Sequence, residues 1–272
     1  MQGRLSPITN GKIQEFPWKN WRQEFQVANK LGFSIMEWTL DQERLYENPL
    51  MTETGRLEIK KLCLENDIRI LSLTGDCFMQ APFWKTNGSE KNMLQDDFMN
   101  ILDACANLGI SKIVLPLVDN GRIENTSQSN ELINFLQQKE DSIKSRGLQV
   151  IFESDFSPTE LKSFINQLNK KTFGINYDIG NSASLGFDVN NEFEEYGDRI
   201  LNVHVKDRIL NGSTVPLGDG DAKFDQVFKN LSKFKYAGNL ILQTARATNE
   251  EHSKVLGYYK KMTENWIKVY GL

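Results

Sequence analysis

Gly147-Leu148-Gln149-Val150-Ile151-Phe152-Glu153-Ser154-Asp155 decides the fold. A glycine suited to closing a helix is followed at once by a short apolar, β-branched run, and the run ends in carboxylates and a hydroxyl. Upstream, Leu132, Ile133, Phe135 and Leu136 open a helical stripe, so the passage reads helix, glycine stop, buried strand, polar strand end. The same grammar recurs along the chain. Strands are expected at Met1–Leu5, Ser34–Leu40, Ile68–Leu73, Lys112–Leu117, Leu148–Glu153, Phe173–Ile179, Ile200–Val205 and Asn239–Thr244. Helical stripes lie between them, such as Trp21, Phe25, Ala28 and Leu31, or Phe98, Ile101, Leu102, Cys105 and Leu108. The last helix is expected over roughly Glu250–Tyr270. Gly32, Gly109, Gly147 and Gly238 each stand just before a strand. Eight such units in 272 residues take about 34 each. A right-handed parallel βα series of that length closes most readily as an α/β eight-stranded (β/α)8 TIM barrel. A doubly wound open sheet would want a glycine-rich phosphate turn after the first strand, and there is none. No linker or composition break interrupts the pattern, so residues 1–272 are expected to form one domain.

Composition narrows the function. With 32 Lys+Arg against 36 Asp+Glu, the formal net charge is −4. An acidic chain without a basic stripe is a poor partner for nucleic acid or an anionic membrane. No apolar run approaches the about 20 residues needed to span a bilayer. Cys63, Cys77 and Cys105 are odd in number and lack metal-finger spacing, which reads as reduced thiols in a cytoplasmic protein.

Functional residues of such a barrel belong at the carboxyl ends of its strands. The fifth expected strand ends in Glu153, Ser154 and Asp155, and the sixth in Tyr177-Asp178-Ile179-Gly180-Asn181. The seventh runs Asn202-Val203-His204-Val205-Lys206-Asp207-Arg208, and the eighth Ile241-Leu242-Gln243-Thr244-Ala245-Arg246. Four consecutive strands thus offer Glu153, Asp178, His204 and Gln243. Two carboxylates, an imidazole and an amide oxygen suit one divalent ion, Mn, Mg, Co or Zn. Each residue alone also reads as a helix cap, a loop hydrogen-bonder or a core histidine. Arg208 and Arg246 follow the last two strands, where barrels frequently bind phosphate. Lys206 shares the parity of His204, although Lys206, Asp207 and Arg208 could instead pair among themselves. Gly218-Asp219-Gly220-Asp221 reads as a flexible mouth loop leading into a helix at Phe224. Trp18, Trp38, Phe83 and Trp84 are candidates for a sugar platform or for core.

Several stretches resemble the xylose-isomerase-like TIM barrel superfamily, the sugar phosphate isomerase/epimerase family. They are Met1-Gln2-Gly3-Arg4-Leu5-Ser6-Pro7, Phe33-Ser34-Ile35-Met36-Glu37-Trp38, Tyr177-Asp178-Ile179-Gly180-Asn181, His204-Val205-Lys206-Asp207-Arg208 and Pro216-Leu217-Gly218-Asp219-Gly220-Asp221. The resemblance runs from the first expected strand to the last. It implies one divalent metal on Glu153, Asp178, His204 and, with a substitution, Gln243. It puts Asn181 at a substrate-binding position and adds Glu37 and Trp38 to the substrate side.

Two departures from the family shape the reading. Its apurinic endonucleases use a histidine-rich trinuclear zinc site, which the two histidines of this chain cannot build. Its epimerases carry Glu where Gln243 stands, and use two metal-bound glutamates as an acid/base pair. An amide can coordinate, but it cannot exchange a proton. Isomerisation between adjacent carbons needs only one base, so Gln243 argues for isomerisation, for a base elsewhere (Asp155 or Lys206), or for lost activity. The expectation is a metal-dependent isomerase, with epimerase as the near variant, acting on a small sugar or sugar phosphate through an enediolate. Glu153 and Lys206 are the expected catalytic residues, with Asn181, Arg208 and Arg246 on substrate. Alternatives are a lyase or dehydratase on a polyol-derived ketone, and a carbohydrate-binding barrel that has lost catalysis. The partner is a small molecule, and the reading admits a homo-oligomer.

Overall fold

The computed structural model describes residues 1–9 and 11–272. Strands and helices alternate as β1 (Ile35–Thr39), β2 (Arg69–Thr74), β3 (Lys112–Leu117), β4 (Gln149–Ser154), β5 (Phe173–Asp178) and β6 (Ile200–Val205). A two-stranded antiparallel ribbon, β7 (Asp207–Arg208) with β8 (Thr214–Val215), precedes β9 (Asn239–Leu242). The helices are α1 (Trp21–Lys30), α2 (Glu53–Asn66), α3 (Asp76–Gln80), α4 (Gly88–Leu108) and α5 (Thr126–Ser145). They continue with α6 (Pro158–Ile165), α7 (Ile179–Leu185), α8 (Val189–Tyr196), α9 (Phe224–Lys233) and α10 (His252–Tyr270).

The chain divides into two compact units. One comprises Ala28–Ser154 and Phe164–Gly174. In it β1 pairs with β2, β2 with β3 and β3 with β4, all parallel, with Glu153 opposite Pro116. The middles of β3 and β4 are apolar on both faces because helices cover parallel sheets. Val150, Ile151 and Phe152 are wholly buried, as are Ile113, Val114 and Leu115. The rings of Phe83, Phe98 and Phe135 fill the space beside α4 and α5, with Phe83 and Phe135 centroids 4.6 Å apart. Such aromatic pairs add about 0.5–1.5 kcal/mol each beyond area burial. Phe83 and Trp84 are therefore core residues, not a sugar platform.

The other unit comprises Met1–Val27, Asp155–Ser163 and Ile175–Leu272. Its strands β5, β6 and β9 pair in parallel, with Asp178 opposite His204 and Val205 opposite Leu242. Seven of the eight expected strands are present, with ends shifted by at most two residues. The exception is Met1–Leu5, which is turn and bend. Several of its backbone groups bond to side chains instead of a ladder. The buried Glu24 carboxylate accepts Gly3 N at 2.8 Å, Leu5 N at 3.0 Å and Ser6 Oγ at 2.7 Å. Arg246 donates to the carbonyls of Gly3 and Ser6. Gly3 at φ 82° also turns the chain out of extended geometry. The helix stop at Gly109 is left-handed, φ 93°, as expected. Gly238 is different: Lys235 takes the left-handed turn after α9, and a Cβ at Gly238 would come within 2.6 Å of Leu201 O. All three cysteines are free, and burial pushes the Cys77 and Cys105 thiols well up. Among the described residues no helix is long and apolar enough to cross a membrane.

Candidate active site

Asp178 ends β5 and begins α7, so one carboxylate serves two elements. Its Oδ1 caps α7 by accepting Asn181 N at 2.8 Å. Its Oδ2 points to Lys206 Nζ at 3.3 Å and lies 3.8 Å from His204 Nδ1. Burial works to raise this carboxyl, but Lys206 and His204 outweigh it and hold the group well below the usual carboxylate range. The cap role that a strand-end Asp suggests is carried by Oδ1 alone, which leaves Oδ2 turned to Lys206 and His204.

His204 is fully buried on β6. Asn176 Nδ2 lies 3.1 Å from its Nδ1, and Asn176 Oδ1 accepts Asn202 Nδ2 at 2.7 Å. The two asparagines orient the imidazole. They went unassigned in the sequence, yet the signal is there: Asn176 and Asp178, like Asn202 and His204, alternate at the strand period.

Asp178 and His204 face one another in register across β5 and β6 and are both buried; in the other unit Glu153 is buried near the end of β4. The donor chemistry fits a divalent metal. Gln243, just past β9, turns its Oε1 to Lys206 Nζ at 3.3 Å.

Lys206 and Arg208 run side by side along Gly180. A Cβ on that glycine would come within 2.7 Å of Lys206 Cγ and 3.2 Å of Arg208 Cγ. Both cations meet Asn181 Oδ1, Lys206 at 3.3 Å and Arg208 Nη1 at 2.9 Å. Arg208 also donates to Gly212 O from Nε at 3.1 Å and Nη2 at 2.7 Å. Asp207 does not pair with either neighbour. Fully buried, it accepts Gly218 N at 2.8 Å, Gly220 N at 3.0 Å and Ala222 N at 3.1 Å. The loop expected to be flexible is pinned by one carboxylate.

Other expected site residues have other partners. Arg246 spends both terminal nitrogens on the Gly3 and Ser6 carbonyls, and burial lowers its pKa. Glu37 is fully buried and accepts Ser72 Oγ at 2.6 Å and Thr74 Oγ1 at 2.7 Å. Trp38 is fully buried too, its indole N–H donating to Asn48 Oδ1 at 3.0 Å.

A family model described as xylose isomerase-like TIM barrel matches residues 25–262. The putative L-ribulose-5-phosphate 3-epimerase SgbU of Haemophilus influenzae is 24% identical over 251 residues, 85% of this chain and 86% of that protein. The L-ribulose-5-phosphate 3-epimerase UlaE of Escherichia coli is 24% identical over 262 residues, 91% of this chain and 89% of its own. Among solved structures, a xylose isomerase domain protein from Planctomyces limnophilus superposes with TM-score 0.75 at 17% identity, covering 90% of this chain and 93% of its own. The IOLI protein, solved with a binding zinc atom, gives TM-score 0.74 at 16% identity, covering 92% and 93%. The fold they share with this chain is the TIM barrel.

Proposed function

The chain belongs to the xylose isomerase-like TIM barrel family, and from that premise we propose that it is a divalent-metal-dependent isomerase of a small sugar phosphate. The observation that carries the reading is the buried pair Asp178 and His204, set opposite one another in register; Glu153, buried near the end of β4, is the third ligand in this reading. Gln243 Oε1, which shares the Lys206 ammonium with Asp178, is the fourth donor in this reading. When bound, a divalent ion supplies Lewis-acid polarisation of a sugar carbonyl and its neighbouring hydroxyl. The zinc atom in the IOLI structure supports a metal, and the two relatives named for L-ribulose 5-phosphate support a phosphorylated ketose.

The chain's own residues divide the remaining work. Glu153 takes the proton from the carbon next to the carbonyl and returns it. Lys206 balances the negative charge that then develops on the substrate oxygens. Asn181 and Arg208 orient the substrate, and in this reading the phosphate lies on the Arg208 side, because Arg208 is held beside Asn181 whereas Arg246 is turned to the N-terminal carbonyls. A single base at Glu153 suffices to move a proton between adjacent carbons on one face. Inversion of a centre, the reaction in the relatives' names, needs a second proton carrier, and the Gln243 amide is not one.

Product analysis by NMR tests the reading. The purified chain with Mn²⁺ is incubated in D₂O with L-ribulose 5-phosphate and with other ketose phosphates. Deuterium at the carbon bearing the transferred proton, with an aldose phosphate accumulating, is the expected result. Accumulation of the 3-epimer instead would establish epimerisation and a second base. Exchange with none of these phosphates, together with none on the free ketoses, would sink the enzyme reading.

A further inference from the structure

Lys206 has little choice of position. It follows His204 by two residues on an extended run, so both side chains leave the same face. Gly180 gives its stem room to lie against the first turn of α7, where a Cβ would meet Lys206 Cγ at 2.7 Å. The ammonium, on a side chain only 13% exposed, thereby reaches three oxygens at 3.3 Å: Asp178 Oδ2, Asn181 Oδ1 and Gln243 Oε1. Asp178 and Gln243 are half of the four-residue set assigned above to the metal.

We propose that Lys206 is a built-in counter-cation of that set. Its ammonium holds Asp178 and Gln243 together when no divalent ion is bound, and it competes with the ion for the same two oxygens. The inference rests on the metal-site reading and goes beyond it, because it concerns how readily this chain takes an ion at all.

The charge count favours competition. Ionised Glu153 and Asp178 bring two negative charges; His204 and Gln243 bring none. Lys206 cancels half of that before any ion arrives. A carboxylate at position 243 would have added a third negative charge to hold both cations, but the amide adds nothing. In a buried site, repulsion between an ammonium and a divalent ion on shared oxygens is weakly screened. Loading the site therefore requires the Lys206 ammonium to leave Asp178 and Gln243. Its long flexible stem permits this, and the displaced charge stays beside Asn181 and Arg208, on the side assigned to an anionic substrate.

Mn²⁺ titration of the metal-depleted, full-length chain tests this, by calorimetry or by the loss of the free-ion EPR signal. Lys206→Met keeps most of the stem and removes the charge; it is expected to bind Mn²⁺ at least tenfold more tightly than the unsubstituted chain. Lys206→Arg, which keeps the charge, is expected to bind no more tightly than the unsubstituted chain. Thermal melting gives an independent reading: Lys206→Met should melt lower than the parent without metal and gain more from added Mn²⁺. If Lys206→Met fails to fold, Lys206→Gln carries the same comparison. Equal or weaker Mn²⁺ binding by the neutral variants, with the parent still binding, overturns the counter-cation and leaves the metal site standing. Absence of Mn²⁺ binding in parent and variants alike overturns both.

Discussion

The ammonium of Lys206 lies 3.3 Å from the side-chain oxygen of Gln243, and at the same distance from Asp178 Oδ2. A cation and an amide thus meet at the strand ends, where the family resemblance leads one to expect a glutamate. The pair is consistent as a unit. An amide oxygen accepts from an ammonium without adding charge, and Lys206 is left to neutralise Asp178. Exchange of Gln243 alone changes both the charge of the set and the proton chemistry open to it, so this position separates the functional readings most sharply.

Gln243→Glu is expected to create or increase epimerisation, because it places a proton-carrying group in the ligand set alongside Glu153. The same change adds a negative charge within reach of Lys206 and should tighten Mn²⁺ binding. The check is the ratio of epimer to isomer in the NMR product assay, with metal affinity measured in parallel. An unchanged product ratio at full metal occupancy would put position 243 outside the reacting geometry.

Glu153→Gln removes the only proton-transfer group assigned to the substrate carbon. General-base contributions are typically about 10²–10⁴-fold, so turnover and solvent-deuterium exchange should fall together by about that factor. Exchange persisting at the parent rate would move the base to Asp155 or Lys206.

What the sequence reveals here depends on where each group finds its partner. The strand carrying Glu153 is legible because burial on both faces leaves an unbroken apolar run, Val150–Phe152, ending in charge. The same logic exposes Asp178 and His204, which sit opposite one another in register. Met1–Leu5 misleads because its composition suits a strand, whereas Gly3 and Leu5 bond to the side chains of Glu24 and Arg246, remote in sequence. Arg246 misleads for the same reason. Glu37 and Trp38 sit in a recognisable family stretch, but their partners Ser72, Thr74 and Asn48 are set by strand register and a turn that no motif spells out. Asp207 is hidden by its neighbours. Between two cations it reads as an ion-pair partner, and only the return of the chain through Gly218–Ala222 shows it to be a backbone anchor.

Asp207→Ala leaves three loop N–H groups without their acceptor. Hydrogen bonds to a buried charge contribute about 1.5–3 kcal/mol each and are not additive, so a loss of about 3 kcal/mol in unfolding free energy is expected. Chemical denaturation measures it. Asp207→Asn keeps one acceptor oxygen and should recover part of the loss. Faster amide hydrogen exchange at Gly218, Gly220 and Ala222 in the alanine variant would locate the effect in the loop, and uniform acceleration across the unit would not.

Glu24 makes the pH dependence of the segment it holds, Gly3 to Ser6, predictable. Burial raises its carboxyl above the ordinary value of 4.5, more than the bonds from Gly3, Ser6 and Leu5 lower it. The folded chain therefore takes up this proton at a higher pH than the unfolded chain does. The stability linked to this group is fully present below the unfolded value near 4.5 and is lost as pH rises through the raised folded value. Glu24→Gln cannot titrate, so its stability should lack this component. Melting temperatures of parent and variant, measured from pH 4.5 to 8, should give a difference that shifts in favour of the parent on acidification. A difference independent of pH across that window would show that the Glu24 carboxyl titrates alike in the folded and unfolded chains, and that burial does not govern it.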